Sequence, residues 1–317
     1  MFISVFAFIV RLSTCVAVVD VEYSFKYSYE GQSDHKGDAF GASLSTFNHK
    51  LVIGAPGYNN HRGSITVMPD GLQVRGPAGG KWFGGSVDMN QEFMVVSGYP
   101  DMFVYKSSSP YNMVAMIPIG GCSPVNALVI ALVISDDNTI AILHEEDNSD
   151  FWLTIYQYDG SESWHIAQKF DLESRKPPEA SLSLAVHRDI LVVGVPGASD
   201  DHGQVRVYNR VHGQWVHEQT IKQDGVKYFG CSVAMYEHHM AVSAFHGNVF
   251  TYKLDEYTNT WVGNGRLSVT SDLNSYLHLQ KNILAINFNN RGKYPDVCGA
   301  VYQLSTATMG VSQQQQQ

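Results

Sequence analysis

Histidine is the first side chain to test for chemistry in this sequence, because thirteen are present. An imidazole that binds zinc or acts as a general base needs a Cys, another His or a carboxylate held at ligand or hydrogen-bond spacing. His187, His238 and His239 fall in tight polar turns between apolar runs, and His61, His202, His212 and His246 fall in polar loops. None has such a partner at a motif spacing. Two oxygen-rich stretches, Glu145-Glu146-Asp147-Asn148-Ser149-Asp150 and Asp200-Asp201-His202, could in principle hold a hard cation, but their pattern is that of solvated acidic loops. Ser43, Ser86 and Ser232 stand just behind glycine, yet no Gly-x-Ser-x-Gly elbow surrounds them. Neither His-Glu-x-x-His nor a phosphate-cradling glycine loop occurs. The expectation is a non-catalytic chain with no catalytic residues, no metal ligands and no cofactor. A glycan-processing hydrolase stays as an alternative, since glycosidase carboxylates are scattered in sequence.

A different chemistry is concentrated in the loops. Gly57 to Arg62, Tyr99-Pro100-Asp101, Ser199 to His202, Phe245-His246 and Asn289 to Tyr294 are rich in Tyr, Asn, His and Arg, as are the links at Lys81-Trp82 and Lys227-Tyr228. Aromatic faces supply contact area and polar groups supply direction, the mix that suits recognition of a protein or a glycan. The candidate partner-binding residues are Tyr58, Asn60, His61, Arg62, Trp82, Tyr99, Asp201, His202, Tyr228, Arg291 and Tyr294. A carbohydrate-binding lectin is the alternative reading; it requires similar residues at equivalent places in several loops, and these loops differ from one another in sequence.

The elements that must position those loops are repeated. AFGASLSTFNHKLVIGAP from Ala39 returns as WFGGSVDMNQEFMVVSGYP from Trp82, ASLSLAVHRDILVVGVP from Ala180, YFGCSVAMYEHHMAVSAF from Tyr228 and SYLHLQKNILAINF from Ser275. The copies lie about 45 residues apart except for one gap of double length, which should hold a degenerate sixth copy. Ala127 to Ile134 with Thr139 to Leu143 fills it. Each copy begins as two short apolar runs around a tight turn, a hairpin signal. A third, alternating run follows, such as Gly203 to Tyr208, and then a weaker polar one such as Trp215 to Glu218. Four strands in about 45 residues are the period of a β-propeller blade. The predicted fold is all-β: a propeller of four-stranded antiparallel blades, six in number with seven as the alternative. The last copy lacks a fourth strand, and the alternating segment Val21 to Tyr29 is expected to supply it and close the ring.

Phe40-Gly41 with Gly54-Ala55-Pro56, Phe83-Gly84, Val195-Pro196 and Phe229-Gly230 resemble the FG-GAP repeats of the integrin alpha subunit propeller. The resemblance covers nearly all of residues 20–306, although only the first copy is complete. It implies a role in cell adhesion or another extracellular contact. It also implies that aromatic residues at the centre of the loop face cage a basic side chain of a partner; Trp82 and Tyr228 match those positions and Ala39 does not. Calcium-binding members of that family carry an acidic loop between the first two strands. Here that turn is Phe47-Asn48-His49-Lys50 or one of its equally short equivalents, so no integrin-type calcium site is expected.

Composition agrees with a globular protein. A net charge of −9 and a pI near 5.8 make nucleic acid an unfavourable partner. Residues 1–19 resemble a secretory signal, with Arg11 interrupting the apolar run, so the expected location is extracellular, with a retained amino-terminal anchor as the alternative. No later run is long enough to span a bilayer as a helix. Cys122, Cys231 and Cys298 are expected to be free, mostly buried thiols, and no N-glycosylation sequon is present. Residues 307–317 read as a disordered Gln-rich tail.

Overall fold

The computed structural model describes residues 37–119, 128–146, 150–173, 182–268, 275–280, 283–288 and 299–303. Among them are six antiparallel sheets, each a simple meander. Blade 1 holds β1 (Ser43–Phe47), β2 (Lys50–Ala55), β3 (Ser64–Met68) and β4 (Leu72–Arg75). Blade 2 holds β5 (Val87–Met89), β6 (Phe93–Ser97), β7 (Asp101–Lys106) and β8 (Met113–Pro118). Blade 3 is β9 (Leu128–Ile134), β10 (Ile140–Glu146), β11 (Asp150–Tyr158) and β12 (Trp164–Asp171), so the degenerate copy folds as a complete sheet. Blade 4 is β13 (Ser183–His187), β14 (Ile190–Val195), β15 (Gln204–Val211) and β16 (Gln214–Ile221). Blade 5 is β17 (Val233–Tyr236), β18 (His239–Ala244), β19 (Asn248–Asp255) and β20 (Thr260–Ser268), and blade 6 shows β21 (Ser275–Gln280), β22 (Ile283–Phe288) and β23 (Gly299–Gln303). The segment expected to close the ring, Val21 to Tyr29, lies outside the described residues, as do the leader and the Gln-rich tail.

The first strands of successive blades touch, β1 with β5, β5 with β9, and onward to β21, which is the packing of sheets around a common axis. The second strands are apolar on both faces because both are covered. All five residues of β6 are buried, and β14 is buried from Leu191 onward. Among the described residues the hydrophobic core is accordingly divided into five clusters, one between each pair of consecutive blades from 1 to 6. Each fully buried Leu, Ile or Phe in them contributes about 1.5–3 kcal/mol.

Two repeated devices set the geometry of the outer strands. The pairing of third and fourth strands slips by one residue at Tyr105, Tyr156, Tyr208 and Tyr252, each of them buried. A bulge at that point adds twist and turns the rim strand across the blade. The second device is a clasp between rims. The Gln168 side chain of blade 3 accepts from the Trp215 N–H (2.7 Å) and donates to its carbonyl (2.9 Å) in blade 4. Gln219 of blade 4 does the same to Trp261 of blade 5, at 2.8 and 3.0 Å. Both glutamines stand four residues after a Trp, and the same spacing from Trp261 reaches Gly265, which has no side chain to make the contact.

Close approach explains the glycine that ends the second strand. A Cβ on Gly54 would sit 2.1 Å from the Gly84 carbonyl oxygen of the next blade, and one on Gly194 2.1 Å from that of Gly230. At the same position blades 2 and 5 carry Ser97 and Ser243, and there the following blade has no Phe-Gly pair to be accommodated.

Candidate recognition face

A meander of four strands puts the β1–β2 and β3–β4 type turns at one end of the propeller. The loops between second and third strands, with the links from blade to blade, are at the other. The second end carries the candidate residues, and it is built around two copies of one backbone module. After β2 the chain turns through Asn59, Asn60 and His61 at φ of 49°, 58° and 66°, and after β14 it turns through Ser199, Asp200 and Asp201 at 54°, 54° and 66°. Three successive non-glycine residues in the left-handed region are strained, and they persist only where the surroundings hold them. The restraint is the next blade. Trp82 N–H donates to the His61 carbonyl (2.7 Å) and Phe83 N–H to that of Arg62 (3.4 Å); Tyr228 and Phe229 donate to Asp201 and His202 at 2.8 and 3.0 Å. Each turn ends on a glycine, Gly63 or Gly203, where a Cβ would fall 2.1–2.2 Å from the backbone of the Phe in the Phe-Gly pair.

The serines at the start of the first strands are latches. Ser86 Oγ accepts from Leu132 N–H (3.2 Å) and Ser232 Oγ from Leu277 N–H (3.0 Å), each across to the first strand of the next blade. Ser43 and Ser183 donate to the carbonyls of Gly84 and Gly230, at 2.8 and 2.9 Å. Near the axis Asp88 joins three blades, accepting from Ser45 Oγ (2.8 Å) and from Ile134 N–H (2.9 Å). Burial holds its carboxyl above the ordinary value of 3.8 against those hydrogen bonds.

The candidate residues gather in two groups. At the junction of blades 1 and 2, Tyr58 is half-buried, Asn60 and His61 are exposed and Arg62 donates from Nε to the Gly76 carbonyl (2.5 Å). Trp82 is 40% exposed and stands edge-on to Tyr99, with ring centroids 5.8 Å apart. At the junction of blades 4 and 5, Asp201 is half-buried and the exposed His202 is tied by Nδ1 to the Ser199 carbonyl (3.0 Å). Tyr228 departs from the expectation. It is only 9% exposed, packed edge-on against Phe245 at 5.5 Å, so it presents no open ring face like that of Trp82. The expectation that the loops differ is also corrected in part: Tyr58 to Gly63 and Ala198 to Gly203 share one backbone and differ in side chains. Ala39, which fails the aromatic pattern, still adopts the φ of 54° found at Trp82 and Tyr228 (55° and 54°). Arg291 and Tyr294 lie outside the described residues.

One catalytic-looking row was not legible in the sequence. His144 Nε2 lies 2.8 Å from Thr154 Oγ1 and its Nδ1 3.6 Å from Glu146 Oε1, an order of hydroxyl, imidazole and carboxylate. Both His144 and Thr154 are completely buried, and burial, with Lys169 nearby, pulls the imidazole down to about 4. A neutral imidazole sealed from solvent at this depth is a core group, because no substrate reaches the hydroxyl. Glu146 itself pairs with Lys169 at 2.8 Å. Among the described residues no three His, Cys, Asp or Glu side chains converge as metal ligands. Cys231 is a free buried thiol pushed up to about 12 by burial, and Cys122 and Cys298 lie outside the described residues.

Comparison with solved structures places the fold among β-propellers. The chain is similar to a protein from Lactobacillus plantarum (12% identity, TM-score 0.60, covering 86% of this chain and 83% of that one). It is also similar to the β-propeller domain of Cps50 (Swd1) from Myceliophteria thermophila (13%, 0.56, 83% of each chain). The WD40 repeats of RRP9 match at 11% identity and a TM-score of 0.53, covering 79% of this chain and 74% of that one. No family model matches the chain. No curated protein matches it either.

Proposed function

We propose that this chain is a non-catalytic recognition propeller that engages a macromolecular partner through the loop end, centred on the junction of blades 1 and 2. The observation that carries the reading is the contrast between a rigid backbone module and its side chains. The strained turn at Asn59, Asn60 and His61 is held by the next blade and sets an exposed Trp82 among polar groups, the arrangement of a preorganised contact surface. Among the described residues the row with catalytic order, Thr154, His144 and Glu146, supports the non-catalytic reading because its hydroxyl and imidazole are shut inside blade 3. The Phe-Gly pairs and their glycine partners support an FG-GAP type of propeller, and the leader-like residues 1–19 support a location outside the cell or at its surface. Among the described residues no helix is long and apolar enough to cross a membrane. A lectin is the weaker reading, since the second copy of the module replaces Tyr58 by Ala198 and buries Tyr228.

A photo-reactive amino acid placed in turn at positions 61 and 82, and at 49 and 212 of the opposite end, tests the assignment in cells that secrete the protein. The same macromolecular adduct from 61 and 82, absent from 49 and 212, is the expected result. Adducts confined to the opposite end would refute it.

A further inference from the structure

We infer that the junction of blades 1 and 2 docks an acidic, carboxylate-bearing segment of a protein partner; the inference rests on the partner-binding reading above and adds the chemistry of what is bound. Three cationic residues belong to that junction, with the half-buried Tyr58 and the exposed Trp82. The Arg75 guanidinium lies over the Tyr58 ring, 5.8 Å from its centroid. Arg62 is oriented by its Nε bond to the Gly76 carbonyl, which leaves its terminal nitrogens outside that contact. Lys81 is exposed, next in sequence to Trp82, and its backbone exchanges hydrogen bonds with Tyr99 at 2.8 and 3.2 Å.

Among the described residues no carboxylate lies within ion-pair distance of Arg62, Arg75 or Lys81; Lys106, Lys169 and Arg210 are each paired with one, and Lys222 and Lys227 at the other junction are not. Asp38, whose carbonyl accepts from Gly57 N–H (2.9 Å), Asp70, which accepts from Tyr111, and Asp101, two residues after Tyr99, do not pair with the three; Asp38 is buried and Asp101 half-buried. A group of unneutralised cations on a chain of net charge −9 is a local reversal of sign, and complementary charge is what steers and selects a partner. The aromatic groups add area, and Arg stacked on Tyr keeps its in-plane donors available to carboxylates.

The second copy of the module shows that this charge is not a requirement of the backbone. Asn60 and His61 are replaced there by Asp200 and Asp201 on the same left-handed turn, Arg62 just after it by His202, and the adjoining link carries Asp224 between Lys222 and Lys227. The polarity is also the reverse of the basic partner side chain that the integrin resemblance implies.

The test is an array of synthetic 15-residue peptides of random sequence, graded in net charge, probed with the full chain at low and at physiological salt. Expected is a signal that rises with peptide acidity despite the chain's own negative charge and falls with salt. It should drop at least tenfold in Arg62→Gln/Arg75→Gln/Lys81→Gln and persist in Lys222→Gln/Lys227→Gln at the other junction. The double variant Arg75→Gln/Lys81→Gln, which keeps the Arg62 contact to Gly76, should lose at least threefold with an unchanged thermal melt. Binding that ignores peptide charge, or survives the triple substitution, overturns the inference. Neutral or basic peptides bound through the same junction, lost on Trp82→Ala, would overturn the acidic segment and leave the partner-binding reading standing. No binding to any peptide also overturns the acidic segment, and it removes both readings if positions 61 and 82 yield no adduct.

Discussion

The junctions of blades 1–2 and 4–5 are the same piece of backbone carrying different side chains. Each has a three-residue left-handed turn, a glycine against the next blade's Phe, a second-strand glycine against the next Phe-Gly carbonyl, and a serine reaching on to the following blade. Around that frame the chemistry divides. The first junction exposes Trp82 beside Arg62, Arg75 and Lys81, while the second buries Tyr228 and carries Asp200 and Asp201 as well as Lys222 and Lys227. Towards the axis the first uses polar atoms, Ser45, Asp88 and the Ile134 amide, where the second has Ala185, Ala234 and Leu279. At the rim, Gln219 clasps blades 4 and 5 together. What the two share is backbone geometry that only certain residues permit, and what differs is everything the geometry leaves open.

The largest effects are expected in the shared frame. Gly54→Ala and Gly194→Ala each force a Cβ onto a backbone carbonyl 2.1 Å away, and both should cost about 3 kcal/mol or more in urea unfolding. A tolerated substitution at one of them would show that the two junctions are not held alike. Next comes the aromatic residue before Phe-Gly. Tyr228→Ala opens a cavity under Phe245 and should cost about 3 kcal/mol, whereas Trp82→Ala should stay within about 0.5 kcal/mol and act on binding alone.

Asp88→Ala leaves Ser45 and the Ile134 amide without their acceptor and should cost about 2 kcal/mol, with no counterpart at Ala234. The pH dependence has a fixed sign. Burial raises the folded pKa of Asp88 above 3.8, so its stabilising contribution is fully present below that value and diminishes as pH rises through the raised pKa. Chemical denaturation from pH 3 to 8 should therefore show the gap between wild type and Asp88→Ala narrowing as pH rises. A gap that widens would contradict the raised pKa of Asp88. The smallest effect is at the rim: Gln219→Ala should cost about 1–2 kcal/mol and speed amide exchange at Trp261 without changing exchange in blade 2.

Much of the architecture was legible because it is written locally. A hairpin of apolar runs around a two- or three-residue turn needs no partner to be recognised, and the constant spacing located blade 3 even though its Phe-Gly signature is gone. The alternation of Gly54 and Gly194 with Ser97 and Ser243 was visible as well. Its meaning was not, since it depends on which blade comes next. The Trp-to-Gln spacing at Trp164 and Trp215 was equally present in the text, yet Gln168 and Gln219 have partners 47 and 42 residues away. His144 illustrates the same limit from the chemical side. Its sequence neighbours Glu145 and Glu146 suggested an acidic loop, and only the sheet register sets it beside Thr154 and closes it off.

The repeat, the four-strand period and the glycines that enforce close approach were therefore determined by the sequence alone, because strand periodicity and backbone sterics act over a few residues. Tertiary structure decided which aromatic residue is open and which is buried, which cations lack a carboxylate, and which serines are latches. Burial and ion pairing are properties of neighbouring blades, and residues one period apart in the chain become neighbours only when the blades pack side by side.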